Sequence, residues 1–185
     1  MRRVALFTGS SSGADDRWQQ AVADLTRSFA ERGVGVVYGG ASVGLMGVVA
    51  DTALAHGVEV IGVIPRAVFS AEVPHHGLTE LIQVESMHER KAVMASYADA
   101  FVALPGGLGT LEEIFEVWTW RTIGLHDKPV AFYDVDGYWS PLLAALDHMV
   151  SAGFVRASAR DGLVVADRPD DLWAALSRPA GSSTP

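Results

Sequence analysis

The stretch LPGGLGTLEE, Leu104 to Glu113, joins turn chemistry to a pair of carboxylates. Pro105, Gly106 and Gly107 end an apolar run, and glycines let a backbone turn sharply and approach a ligand closely. The helix predicted from near Thr110 opens with unpaired N–H groups and the positive end of its dipole. Loop and helix start together read as a phosphate cradle lined by Gly106, Gly107, Leu108, Gly109 and Thr110, and a tight turn without a ligand is the competing reading. The Gly-Lys-Ser/Thr of a P-loop is absent, and GSSSG after the first strand lacks the third glycine of a dinucleotide fingerprint. Glu113 carries two readings at this point. Thr110-Leu111-Glu112-Glu113 fits a capping box, in which its carboxylate closes on the Thr110 backbone, and it is equally a carboxylate placed one turn along from a bound anion. Glu112 and Glu116, one turn apart, read as a solvated face.

The second chemical cluster is SMHERKAVMASYADAF. Ser86-x-x-Glu89 marks a helix start. At about 100° per residue, Met87, Arg90, Met94, Tyr97 and Ala98 share one side, with Lys91 at its margin. An inward guanidinium is costly unless paired, so Arg90 needs a carboxylate or a bound anion, or must snorkel outward. The Pro105 loop offers both partners, Glu113 and an anion in the cradle. Two further glycine loops accompany it. Gly9-Ser10-Ser11-Ser12-Gly13 fits the nucleophile-elbow pattern G-x-S-x-G, but serine-rich turn chemistry makes the run a hydroxyl and backbone lining for a nucleotide pocket, with Ser10 as a contact. Tyr38-Gly39-Gly40 begins the other, in which Gly39 and Gly40 bring backbone to a ligand. His75 and His76 are adjacent, with Glu72 and Glu80 nearby, which reads as a polar loop; no metal site is expected.

Elements that would position these residues alternate along the chain. Strands are predicted at 4–8, 33–40, 58–65, 81–84, 99–107, 128–134 and 163–166. Helices are predicted at 18–32, 46–56, 86–97, 110–122, 141–152 and 170–177. The strands are continuous apolar runs, as expected of strands buried on both faces. The pattern predicts an α/β, Rossmann-like doubly wound parallel sheet in a single domain, 1–178, with a disordered tail at 179–185. In such sheets the site lies beyond the carboxyl ends of the strands, where the three glycine loops gather.

Composition narrows the function classes. The chain has 185 residues, 49% hydrophobic and 19% charged, enough apolar material for a sizeable core. A net charge of −8 with no basic run argues against a nucleic-acid polymer as partner. With no cysteine, thiol catalysis and zinc-thiolate sites fall away. The apolar run Val4 to Phe7 is shorter than the roughly 7–15 residues of a signal sequence. No stretch approaches the roughly 20 residues that span a bilayer, so a cytoplasmic protein without a membrane partner is expected.

The residues carry a resemblance to a known family. PGGLGTLEE matches P-G-G-x-G-T-x-x-E and MHERK its companion His-x-Arg-Lys, while YGGASVGLMG and GLHDKPV with DGYW match two further segments. From about Val4 to about Leu176 the chain resembles the Lonely Guy (LOG) family of cytokinin-activating phosphoribohydrolases, often mislabelled as lysine decarboxylases. The resemblance implies hydrolysis of the N-glycosidic bond of a cytokinin riboside 5′-monophosphate, and of AMP, without a cofactor. It makes Arg90 and Glu113 the catalytic pair. Substrate contacts are implied at Glu72, Arg90, Lys91, the stretch Gly107, Leu108, Gly109, Thr110, Leu111, Glu112, Glu113, and Thr119. A homodimer with sites near the interface is implied too, for which Phe115, Trp118 and Trp120 supply apolar material, although burial in the chain's own core is an equal reading. Ala41 stands where many relatives have glycine, which should narrow the pocket slightly. Val43, Leu45 and Met46 could line a slot for a prenyl group or belong to the core. A rival on the same fold is a nucleotide or molybdenum-cofactor carrier, disfavoured by the paired Arg90 and Glu113. A pyridoxal decarboxylase needs a Schiff-base lysine, and Lys91 and Lys128 are the only lysines.

Overall fold

A computed structural model describes residues 1–66 and 73–178. The expected substrate contact Glu72 and the expected disordered tail 179–185 lie outside the described residues. Seven strands form one parallel sheet in the order β4-β3-β2-β1-β5-β6-β7. They are β1 (Arg3–Phe7), β2 (Gly35–Tyr38), β3 (Val60–Pro65), β4 (Glu80–Val84), β5 (Ala100–Ala103), β6 (Val130–Tyr133) and β7 (Leu163–Ala166). Between them run α1 (Arg17–Ala30), α2 (Gly44–Ala55), α3 (Met87–Tyr97), α4 (Leu108–Thr122), α5 (Ser140–Ser151), α6 (Ala157–Asp161) and α7 (Pro169–Leu176). The order reverses at β1, which pairs with β2 on one side and β5 on the other. That is the switch point at which such sheets bind ligands.

Strand alternation divides the core. Val4 and Leu6 of β1 join Val22, Leu25 and Phe29 of α1 and the apolar faces of α2 and α7. Ala5 and Phe7 point the other way, to Met94 of α3, Ile114 and Val117 of α4 and Leu143 of α5. The α1 stripe shows the energetics. Val22, Leu25 and Phe29 recur at helical spacing and are essentially inaccessible, and such side chains each contribute about 1.5–3 kcal/mol. Phe29→Ala would open a cavity at a cost of about 3–5 kcal/mol. Trp118 is buried in the α3–α5 core, while Phe115 and Trp120 pack against it partly buried. Among the described residues no helix is long and apolar enough to cross a membrane.

The predicted elements appear at their places with shifted ends. The largest shift that matters lies in α4, which begins at Leu108 with Gly107 as N-cap, two residues before the expected start. The turn is completed within Pro105-Gly106-Gly107, so Gly109 is a helical residue. The sequence reading missed α6 and a 3-10 turn at Val135–Gly137. Both are too short to show an apolar period.

Candidate active site

Three glycine loops meet at the β1/β5 switch point around a cavity of about 280 Å³. Leu6, Thr8, Gly9, Ser10 and Ser11 come from β1 and its loop, and Gly39 from the end of β2. Met46 comes from α2, Met87 and Arg90 from α3. Gly107, Leu108, Gly109, Thr110 and Glu113 come from the start of α4. Each loop begins where a buried strand runs out, which is why sequence-distant glycines share one rim.

The start of α4 has the polarity expected of an anion site. Its N-cap, Gly107, has no side chain, and no side chain caps the helix. Leu111 N–H donates to the Gly107 carbonyl at 3.1 Å, so the first intrahelical bond uses the fourth amide after the cap. The amides before it carry the positive end of the helix dipole. Thr110 is the third helical residue, 1% exposed, and its Oγ1 is buried with no hydrogen-bond partner among the described residues. The capping box is therefore not formed at Thr110: a residue inside the first turn cannot be the cap that Glu113 would close. By contrast, Ser86 does cap its helix, although the return bond of the box goes to the residue before the cap. Ser86 Oγ accepts from Glu89 N–H at 3.1 Å, while the Glu89 carboxylate reaches back to Glu85 N–H at 2.7 Å.

Glu113 is 7% exposed and Arg90 5%. The Arg90 guanidinium is held inward by its Nη2, which donates to the Gly39 carbonyl at 3.1 Å and stands 3.9 Å from Glu113 Oε1. The second distance is longer than a hydrogen bond but close enough for strong attraction out of water. Arg90 Nε is buried without a partner among the described residues. Snorkelling is thus excluded for Arg90. Glycine at 39 is a steric requirement of this arrangement, because a Cβ there would come within 1.9 Å of Arg90 Nη2. Met87, expected on the inward side of α3, is 41% exposed and lines the cavity as the first residue of that helix.

Lys91 faces elsewhere. Its ammonium, itself buried, meets the carboxylates of Glu112 and of Glu116, the latter at 2.8 Å. Burial pulls its pKa down, but these two carboxylates more than offset that and hold it above the usual lysine value. Glu112 and Glu116 are therefore ion-pair partners rather than a purely solvated face. Lys128 donates to the Ala95 carbonyl at 2.7 Å. Neither lysine is placed on the cavity lining.

Of the remaining expected contacts, Ser10 and Gly39 line the cavity and Gly40 does not; its carbonyl accepts from His75 N–H at 3.0 Å. Gly106 lies just behind the rim, where a Cβ would strike Thr110 Oγ1 at 2.1 Å. Leu111 packs against the α3–α5 core. Thr119 lies on the exposed side of α4 and lines a different cleft, with Trp118, Thr122, Ile123, Phe154 and Arg156. Ala41 is fully buried and does not line the cavity, so it does not narrow it. Met46 lines the cavity, Leu45 is core, and Val43 is half-buried against that core. Leu6 and Thr8 are lining residues not proposed as contacts from the sequence; the position of Thr8, between a buried strand and GSSSG, was the available signal. The G-x-S-x-G stretch has no elbow geometry, for nine residues separate β1 from α1 and, among the described residues, no histidine lines the cavity. His75 pairs with Asp51 at 3.0 Å, and no group of three metal-ligating side chains gathers among the described residues.

This geometry coincides with a clear kinship. A family model described as "possible lysine decarboxylase" matches residues 46–176. The chain is 45% identical over 171 residues to the cytokinin riboside 5′-monophosphate phosphoribohydrolase LOG of Oryza sativa subsp. japonica, covering 92% of this chain and 71% of the relative. It is 44% identical over 171 residues to LOG3 of Arabidopsis thaliana, named for the same activity, covering 92% and 80%. Among solved structures, the molybdenum cofactor carrier protein of Chlamydomonas reinhardtii superposes with a TM-score of 0.70 at 19% identity, covering 95% of both chains, which is a likeness of fold. The family match over residues 46–176 and the 44–45% identity over 92% of the chain make this protein a member of the Lonely Guy family.

Proposed function

We propose that the protein hydrolyses the N-glycosidic bond of a cytokinin riboside 5′-monophosphate, and of AMP, to free purine base and ribose 5-phosphate. The observation that carries this reading is the buried Glu113, one turn into the helix whose open N-terminus suits a phosphate, with Arg90 at 3.9 Å. Breaking the bond builds positive charge at the anomeric carbon, as in other glycoside hydrolyses. A carboxylate in a largely water-excluded wall stabilises that charge as it develops. The Gly107–Thr110 amides and the Thr110 hydroxyl hold the phosphate, and the ribose lies between this anchor and Glu113. Arg90 fixes the Glu113 carboxylate and presents Nε toward the anion. The leaving purine accepts a proton at its own ring nitrogen, and a water adds to the anomeric carbon.

The homodimer belongs to the same proposal. Thr119 is a substrate contact by resemblance, yet it lies outside the cavity of its own chain. Its cleft of about 320 Å³ is flanked by Ile123, 65% exposed, and Phe154, 90% exposed. A second copy docked on these apolar side chains brings Thr119 to its neighbour's substrate. The carrier reading rests on likeness of fold alone, whereas the relatives at 44–45% identity are named as hydrolases.

The test is incubation of the purified chain with isopentenyladenosine 5′-monophosphate and with AMP, following base and ribose 5-phosphate chromatographically. Equimolar release of both products is expected. Tight nucleotide binding with no base released would instead favour a carrier.

A further inference from the structure

The loop that faces the proposed phosphate is itself held from behind. Tyr138 follows the turn after β6, where Asp136 takes a left-handed φ of 53°, alone among the described non-glycine residues. Its phenol donates to the Gly106 carbonyl at 2.6 Å. The ring stands edge-on between Trp18 of α1, 5.1 Å away, and Trp139, 4.7 Å away. Asp134 fixes the turn from the other side, accepting from Trp139 N–H at 2.5 Å and from the Ser140 hydroxyl at 2.8 Å. One residue earlier in the loop, Thr8 Oγ1 donates to the Pro105 carbonyl at 2.8 Å. Two successive carbonyls are thus gripped by side chains from the loop after β1 and the turn after β6.

In a planar trans peptide the carbonyl and the following N–H point in opposite directions. Gripping the Pro105 carbonyl therefore aims the Gly106 amide, and gripping the Gly106 carbonyl aims the Gly107 amide away from Tyr138. Tyr138 lines a cleft of about 200 Å³ behind the loop, with Trp18 and Leu45. Gly107 lies on the wall between the two spaces and lines both. We infer that Tyr138 is a positioning residue that orients the Gly107 amide, the first of the phosphate-binding Gly107–Thr110 amides, and so sets the preference for a 5′-phosphorylated substrate. This rests on the phosphate reading of the loop given above. Its physical content is preorganisation: a donor already aimed costs no ordering when the anion arrives.

Tyr138→Phe keeps the ring between the two tryptophans and removes only the hydroxyl. Three quantities are compared with wild type: the Kd of ribose 5-phosphate by calorimetry, the ratio of kcat/KM for a nucleoside 5′-monophosphate to that for its nucleoside, and Tm. One lost hydrogen bond at a partly exposed site is expected to weaken ribose 5-phosphate binding about 5- to 10-fold and to lower the nucleotide preference by a similar factor. Wild-type values for both, with or without a lowered Tm, would reduce Tyr138 to packing and overturn the inference. The wild-type arm separates the two claims. If wild type binds ribose 5-phosphate but frees no base, the hydrolase reading fails and the Kd ratio still judges Tyr138. If wild type frees base but has no affinity for ribose 5-phosphate, the hydrolase reading stands and the inference about Tyr138 falls.

Discussion

Arg90 and Lys91 are consecutive residues of α3, both cationic, both buried, and both directed at carboxylates of α4. Their surroundings differ in a way that separates chemistry from scaffolding. Lys91 has its ammonium taken up by Glu112 and Glu116, on a side of the helix pair away from the cavity. Arg90 keeps a looser relation with Glu113, lines the cavity, and retains a buried Nε without a partner among the described residues. A cation with its partners at contact distance ties two helices together, whereas one with unused donor capacity can respond to a ligand. The same division runs through neighbouring Glu112 and Glu113, one half-exposed and paired outward, the other buried against the guanidinium.

Breaking the loose pair should cost catalysis first. Arg90→Lys keeps the charge but loses the guanidinium whose Nη2 serves both the Gly39 carbonyl and Glu113, and turnover is expected to fall about 100-fold in a steady-state base-release assay. Next in size is Thr110→Val, which replaces a buried hydroxyl lacking a protein partner by a methyl of similar shape. Losing a hydrogen bond to a charged group should raise KM for the nucleotide by about 10-fold, with Tm unchanged or slightly higher. A rise in KM for the nucleoside as large as that for the nucleotide would detach Thr110 from the phosphate. On the tight side, Lys91→Met should cost about 1–3 kcal/mol in urea denaturation, because two carboxylates lose their shared cation. If that variant keeps full stability, the contrast between the neighbours collapses.

The smallest effect is on pH. His126 is pushed below its usual value, first by burial, although its ring bond to the Val117 carbonyl acts the other way. The native state therefore favours neutral imidazole, and as pH falls below the unfolded value near 6.5 the unfolded chain takes up protons first. Stability should decline from about pH 6.5 downward until the folded value is passed. A His126→Asn variant should show a shallower decline across that window; an identical slope would assign the effect to other groups.

Much of this was legible in the sequence, for reasons that differ by element. Strands β1, β2, β3 and β5 are buried on both faces and read as apolar runs, so the order of elements and the gathering of glycine loops followed directly. Arg90 was legible because a guanidinium on an apolar helix face demands a partner. The start of α4 was not, since Gly109 looks like part of the turn until Gly107 is seen to act as the cap. That two-residue error kept the Thr110 capping box alive as a reading of Glu113. The partners of Lys91 and the grip of Tyr138 on Gly106 arise between elements far apart in the chain, and no local period announces them.

The central claim is that Glu113 stabilises developing charge on the ribose and does not merely support α4. Single-turnover base release by Glu113→Gln, measured with the Kd for ribose 5-phosphate and with Tm, tests it most directly. Release slower by about 10²–10³-fold, with Kd within a few-fold of wild type and Tm not lowered, is the predicted result. Wild-type release from a variant that melts earlier would contradict it and return Glu113 to the scaffold.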